Sequence, residues 1–319
     1  MLDLHITLAG LVVGLVVGLT GMGGGALMTP ILVLLFHVDP LTAVSSDIVA
    51  SMVMKPVGGA VHWRRGTVNF PLVACLALGS IPAAFLGVLL LSRVDSGPAL
   101  QEHIKLSLGL ALLIVTLGIM VKPLLAGRAT RDSRPQAFVL KPLSTLIIGI
   151  VGGLVVGLTS VGSGSLMMIL LLLLYPRLKL SELVGTDLVQ AVPLVTSAAI
   201  GHLIFGDFKL SLSASILVGS IPGIFLGARF SSRAPDYVIR PALMVVLSTT
   251  GLKLVGAPNL LLASIAPVAV AAGIAYAVSS HRAARRALAT RPTWEAGAVI
   301  SGAAPSAAEV ATPVHPSPT

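Results

Sequence analysis

The sequence predicts an all-α polytopic membrane protein. Two inverted-topology repeats, each a glycine-broken helical hairpin plus three transmembrane helices, are followed by one extra C-terminal transmembrane helix. Three observations carry this prediction. Hydrophobic residues make up 55% of the chain and charged residues only 10%, with a mean hydropathy of +0.98, whereas a soluble chain carries about 25% charged residues. The chain also repeats itself. Gly14-Leu15-Val16-Val17-Gly18-Leu19-Thr20-Gly21 returns as Gly153-Leu154-Val155-Val156-Gly157-Leu158-Thr159-Ser160, and Gly79-Ser80-Ile81-Pro82 returns as Gly219-Ser220-Ile221-Pro222. Finally, Lys and Arg crowd into alternate connections between the apolar stretches.

Those stretches run over 6–36, 41–61, 68–92, 104–121, 143–176, 183–205, 210–228, 237–255 and 257–279. At ~1.5 Å per helical residue each approaches or crosses a ~30 Å hydrocarbon layer. The ~10-residue alternating strands of a membrane β-barrel are absent. Cys75 is the single cysteine and lies in an apolar run, which excludes disulfides and cysteine metal sites. No basic signal-peptide region precedes the first stretch, where Asp3 is the only formal charge, so that stretch is expected in the mature fold.

Two stretches are too long for one crossing. Residues 6–36 and 143–176 would each span ~45–50 Å as a single helix. Each is broken by glycine, and only a short apolar run follows the break: Ala26–Phe36 and Leu166–Tyr175. These read as hairpins turning at Thr20–Gly25 and Thr159–Ser165.

With both hairpins returning to their starting side, 62–67, 122–141, 177–182, 229–240 and 281–291 share one side and hold sixteen Lys and Arg. Arg93, Lys105, Lys209 and Lys253 are the four on the other side. The positive-inside rule makes the first side cytoplasmic, so the net charge of +9 reflects topology rather than nucleic-acid binding. Each half has an odd number of crossings after its hairpin, which inverts the second half. The organisation expected is repeat A over 1–122, a cytoplasmic linker over 123–140, repeat B over 141–256, an additional helix over 257–280 and a disordered cytoplasmic tail over 281–319. The N-terminus is then outside and the C-terminus cytoplasmic.

The glycine tips are the first candidate site. Inverted hairpins bring their tips together near the midplane. The short helices beginning there present free N–H groups and about half a positive charge each. Gly21, Gly23, Gly24 and Gly25 in one tip, and Gly162 and Gly164 in the other, allow close ligand approach. Thr20, Thr159, Ser160, Ser163 and Ser165 add hydroxyls. The spaced Gly10/Gly14/Gly18 and Gly149/Gly153/Gly157 read instead as helix-packing faces. Valine at Gly24 or Ser163 is therefore expected to block transport more than valine at Gly10 or Gly149.

Ionisable residues inside apolar stretches are the second set. Lys55 has no basic counterpart, since Val195 occupies its place. It can attract an anion, pair with Asp47 two turns away, or snorkel to the nearer surface. Asp47 in Ser45-Ser46-Asp47 matches Asp187 in Gly185-Thr186-Asp187. Symmetric intramembrane acids suggest coupling to H+ or Na+, and a local hydrogen bond near a helix start is the plain alternative. Gln190 is a further polar intruder that can line the path. His62 matches His202; both read as helix-end histidines, with proton relay as the alternative. No metal-ligand set accompanies them.

The doubled Gly-Leu-Thr-Gly-Met-Gly-Gly-Gly and Gly-Leu-Thr-Ser-Val-Gly-Ser-Gly segments resemble the repeats of the TauE/SafE family, the sulfite exporters and relatives. So do Val61-His62-Trp63-Arg64-Arg65-Gly66-Thr67-Val68-Asn69 and the Gly-Ser-Ile-Pro segments. The resemblance covers about 6–255. It implies a bacterial or archaeal inner-membrane protein moving sulfite, sulfonates or related small anions. The family's second-helix motif often reads Gly-Thr-Ser, where this chain has Ser45-Ser46-Asp47 and Gly185-Thr186-Asp187.

The reading is thus an ion-coupled secondary transporter of a small sulfur-containing anion, with no cofactor and no enzyme activity. No GxxxxGK[ST] nucleotide loop occurs. An anion channel with the tips as a filter and an intramembrane aspartyl enzyme using Asp47 and Asp187 are the alternatives. The sequence leaves the oligomeric state open.

Overall fold

The computed structural model describes residues 3–20, 24–64, 66–94, 97–129, 139–176, 178, 180–230 and 236–258. Within them the chain forms α1 (Leu4–Thr20), α2 (Gly25–Leu34), α3 (Pro40–Arg64), α4 (Phe70–Ser92), α5 (Pro98–Ala129), α6 (Pro142–Thr159), α7 (Leu166–Leu174), α8 (Leu180–Phe205), α9 (Leu210–Phe230) and α10 (Asp236–Leu254), with no strand among the described residues. By length and apolarity α4, α5, α6, α8 and α9 can cross a membrane. The 25-residue α3 is less apolar because it carries the buried Asp47, Lys55 and several hydroxyls.

Both glycine-broken stretches fold as two helices. The second member of each pair is short, 10 residues in α2 and 9 in α7. That is ~15 Å, half of a ~30 Å layer. Each pair returns to its starting end. The Lys141 N–H donates to Tyr175 Oη (2.9 Å), tying the start of α6 to the end of α7. Asp3, Phe36, His37, Asp39 and Lys209 line one cavity of about 350 Å³, which gathers the start of α1, the end of α2 and the α8–α9 turn. At the far end of α3, the Asn69 N–H donates to Thr186 Oγ1 (3.0 Å), so the α3–α4 turn meets the start of α8.

The halves interlock reciprocally. α1 packs along α9, α4 along α6, and α3 crosses its own counterpart α8. The spaced glycines make this possible. A methyl at Gly14 would lie 2.8 Å from the Ser220 Cα, and one at Gly153 would lie 2.8 Å from the Ser80 Cα. These are the packing faces expected from the sequence. Gly10 and Gly149 are equally crowded: their added methyls would meet the Ile216 carbonyl oxygen at 2.8 Å and the Leu76 carbonyl carbon at 3.2 Å. Two apolar cores flank the crossing. One gathers α1, α2, α5, α9 and α10 with Ala43 and Ala50 of α3 and Leu166 of α7, and the other gathers α3, α4, α6, α7 and α8 with Leu100 and Ile104 of α5. The outward faces of α4 and α9 are apolar, with Leu78 and Phe225 72% and 68% exposed, as a lipid-facing surface requires.

α5 extends well beyond the apolar stretch at 104–121 and reaches Ala129, inside the span expected as linker. Residues 130–138 lie outside the described residues, as do the tail and all but the first two residues of the expected additional helix.

Candidate functional site

The two tips touch. α2 begins at Gly25, with Gly24 as its N-cap. A methyl at Gly25 would come within 2.8 Å of Ser160 Oγ and 2.9 Å of the Ser160 carbonyl carbon. Only glycine lets the first tip sit on the second. Ser160 ends α6 in the left-handed region (φ 61°), and Gly162 and Gly164 follow at φ 120° and 112°. Their positive φ turns the backbone sharply enough to start α7 at Leu166. Thr159 supports the turn, its Oγ1 donating to the Val155 carbonyl (2.6 Å) and accepting from the Val161 N–H (3.1 Å).

Three ionisable side chains gather beside this contact. Asp47, Asp187 and Lys55 are 2%, 2% and 7% exposed. One Asp47 oxygen, Oδ2, accepts from Thr29 Oγ1 of α2 and Ser160 Oγ of the second tip, both at 2.7 Å. A single carboxylate oxygen therefore brackets an element from each half. Lys55 reaches inward and does not snorkel. Its Nζ donates to the Ser163 carbonyl (3.1 Å). Lys55 thus holds its head on the second tip.

Gln190, one turn from Asp187 and fully buried, donates through Nε2 to Ser80 Oγ (2.6 Å). Its Oε1 has no partner among the described residues. A serine hydroxyl can donate or accept, so a half-turn of the amide keeps the Ser80 bond and aims the NH2 group away from it. Ser163 and Ser165 are buried in the tip, Ser165 preceding α7 without a side-chain cap bond.

Other predicted residues are placed differently. A methyl at Gly24 would find only Met54 Cε at 3.7 Å and Val17 Cγ2 at 3.8 Å. Gly25, not Gly24, is the crowded position, and Gly10 and Gly149 are more crowded than Gly24. The side chain of Thr20, and all of Gly21 and Gly23, lie outside the described residues.

The matched histidines have diverged. His202 is fully buried near the end of α8, with Nδ1 2.9 Å from Ser45 Oγ and Nε2 2.9 Å from the Gly157 carbonyl. A carbonyl can only accept, so Nε2 carries a proton. His62 is half-buried at the end of α3, with Nδ1 3.0 Å from Thr67 Oγ1. Among the described residues no group of three or more His, Cys, Asp or Glu could hold a metal ion.

Sequence reasoning missed Thr29, Ser80 and Ser45. The available signal was weak: Thr29 is the one hydroxyl between Ala26 and Phe36, and Ser80 sits in the repeated Gly-Ser-Ile-Pro segment.

The family model described as "Sulfite exporter TauE/SafE" matches residues 6–254. The chain is 41% identical over 263 residues to the probable membrane transporter protein YjnA of Bacillus subtilis, covering 80% of this chain and 100% of that protein. It is 26% identical over 246 residues to the probable membrane transporter protein YdhB of the same organism, covering 76% and 95%. No solved structure matches.

Proposed function

The chain belongs to the sulfite exporter TauE/SafE family of multi-pass membrane transporters, and from that premise we propose a mechanism. It is a secondary transporter that carries a small sulfur-containing anion, sulfite or a sulfonate, across the cytoplasmic membrane by alternating access coupled to an ion gradient. The observation that carries the proposal is the tip-to-tip contact at Gly25 and Ser160 beside Lys55. The anion binds between Lys55 and the starts of α2 and α7. There the ammonium and two helix N-termini supply positive potential, and Gln190 turns its amide NH2 to an anionic oxygen.

Alternating access is supported by the reciprocal pairing of α1 with α9 and α4 with α6, which places one mixed pair in each of two apolar cores that can rock against each other. The inverted arrangement is supported by the gathering of the ends of one broken pair at one end of the bundle and of the other pair at the opposite end. The Lys and Arg asymmetry supports an outside N-terminus and a cytoplasmic C-terminus.

The test is flux in proteoliposomes. Uptake of radiolabelled sulfite should saturate and should be accelerated by unlabelled sulfite trapped inside, as carriers require. Flux rising linearly with concentration and indifferent to trapped sulfite would refute the carrier in favour of a channel.

A further inference from the structure

We propose that the two matched aspartates do different work: Asp47 takes up the coupling proton and releases the second tip when it does so, while Asp187 is the standing counter-charge of Lys55. This rests on the sulfur-anion carrier reading and adds to it a division of roles that the repeat in the sequence conceals.

Lys55 is one cation among two buried carboxylates, and of the two it is Asp47 whose oxygen is hydrogen-bonded to a hydroxyl from each half. A buried ammonium and one carboxylate compensate each other. One ammonium cannot compensate two carboxylates, so the second needs a cation of its own, and Asp47, the carboxylate that bridges the tips, is the one placed to bind it. Other charged groups do not supply it. α2 and the second tip carry none, and α8 contributes Glu182 in its first turn, Asp187, and His202, which is bonded to Ser45 and the Gly157 carbonyl. Asp207 and Lys209 lie exposed at the α8–α9 turn, where Asp207 bonds Thr42 and the Lys209 N–H bonds Ser46 Oγ. On α5, Glu102, His103 and Lys105 are exposed near the helix start. Asp47 is held instead by the hydroxyls of Thr29 and Ser160.

Those hydroxyls couple protonation to movement. Ionised, Oδ2 accepts two hydrogen bonds. A proton delivered to Oδ2 by hydronium, which leaves as water, makes that atom a donor with less room to accept, so one hydroxyl turns away. Thr29 lies within a regular helix, whereas Ser160 occupies a left-handed backbone position. Such a position persists only while its surroundings hold it, so Ser160 is the side that gives. Releasing it loosens the tip from Gly25, and reionisation of Asp47 on the other side of the membrane restores the bracket. One proton is bound and one released per cycle, with no other bond made or broken.

The experiment uses the full-length protein in proteoliposomes with radiolabelled sulfite, outside pH fixed and inside pH varied. Sulfite's own titration is common to every variant and cancels in the comparison. Wild-type accumulation should rise about tenfold for each imposed pH unit, as one coupled proton requires. In Asp47→Asn exchange is lowered but measurable, and accumulation ceases to follow the gradient. Asp47→Glu follows it with a displaced midpoint. In Asp187→Asn exchange falls at least about tenfold, and the residual flux still follows the gradient. Gradient-driven accumulation by Asp47→Asn overturns the proposal. So does an uncoupled Asp187→Asn, or wild-type accumulation driven by Na+ at equal pH. If Asp47→Asn does not reach the membrane, an Asp47→Glu carrier with the wild-type midpoint also overturns it. Absence of wild-type sulfite exchange would instead refute the carrier reading beneath it.

Discussion

Substituting alanine at two adjacent glycines separates tip closure from helix stability. At Gly25 the added methyl would lie 2.8 Å from Ser160 Oγ and 2.9 Å from its carbonyl carbon, closer than Cβ atoms approach in real structures. The serine oxygen can rotate aside, but the carbonyl belongs to a backbone fixed by the left-handed Ser160. Overpacking of this kind costs about 1–3 kcal/mol, which disfavours the closed tip pair about 5- to 150-fold. The same change at Gly24 meets ordinary contacts at 3.7 Å and 3.8 Å. At the Gly24 N-cap alanine is less favourable than glycine by about 1 kcal/mol, and at Gly25 it gains up to about 1 kcal/mol of helix propensity, so both proteins should fold. Initial rates of labelled sulfite uptake, normalised to protein in the membrane, should fall at least about fivefold for Gly25→Ala. Gly24→Ala should stay within about twofold of wild type, well inside that range. Normal transport by Gly25→Ala, or a greater loss at Gly24, would refute tip contact as a step in transport.

Two further outcomes are expected. His202→Ala leaves the Gly157 carbonyl and Ser45 hydroxyl without their partner, and each orphaned buried group costs about 1–3 kcal/mol. His62→Ala removes a half-buried bond and costs about 0.5–1.5 kcal/mol, so thermal denaturation should rank them in that order. After Cys75 is replaced by serine, cysteines at exposed Gly66 and Asp207 should label from opposite faces in intact cells, Asp207→Cys from outside. Labelling of both from one face would contradict the proposed topology.

Much of the architecture was legible because its signals are local. A run too long for one crossing, broken by glycine and followed by half a span, can hardly be packed except as a hairpin. Spaced glycines mark helix contacts because a methyl there meets backbone. The site was less legible because its geometry is made between the halves. Nothing in the run Gly21–Gly25 distinguishes Gly24 from Gly25. The distinction lies in Ser160, more than a hundred residues away. Lys55 is close enough to the end of α3 to reach the surface on sequence grounds, and only the Ser163 carbonyl fixes its inward direction. His62 and His202 occupy matching positions, yet one meets a turn threonine and the other a buried helix carbonyl. The asymmetry of Gln190, whose counterpart is Ala50, becomes meaningful only with Ser80 beside it.

The central claim is that Lys55 and the paired tips form one anion site. It is tested most directly by equilibrium binding of radiolabelled sulfite to the purified full-length protein, wild type against Lys55→Met. Methionine keeps much of the apolar stem and removes the ammonium, leaving two buried carboxylates beside the tips. Removing one partner of a buried charge set costs about 3–5 kcal/mol, so binding should weaken at least a hundredfold, about 2.7 kcal/mol, while the variant still elutes as a monodisperse membrane protein. Sulfite affinity unchanged within about twofold, a difference far below that loss, in a folded Lys55→Met protein would contradict the account.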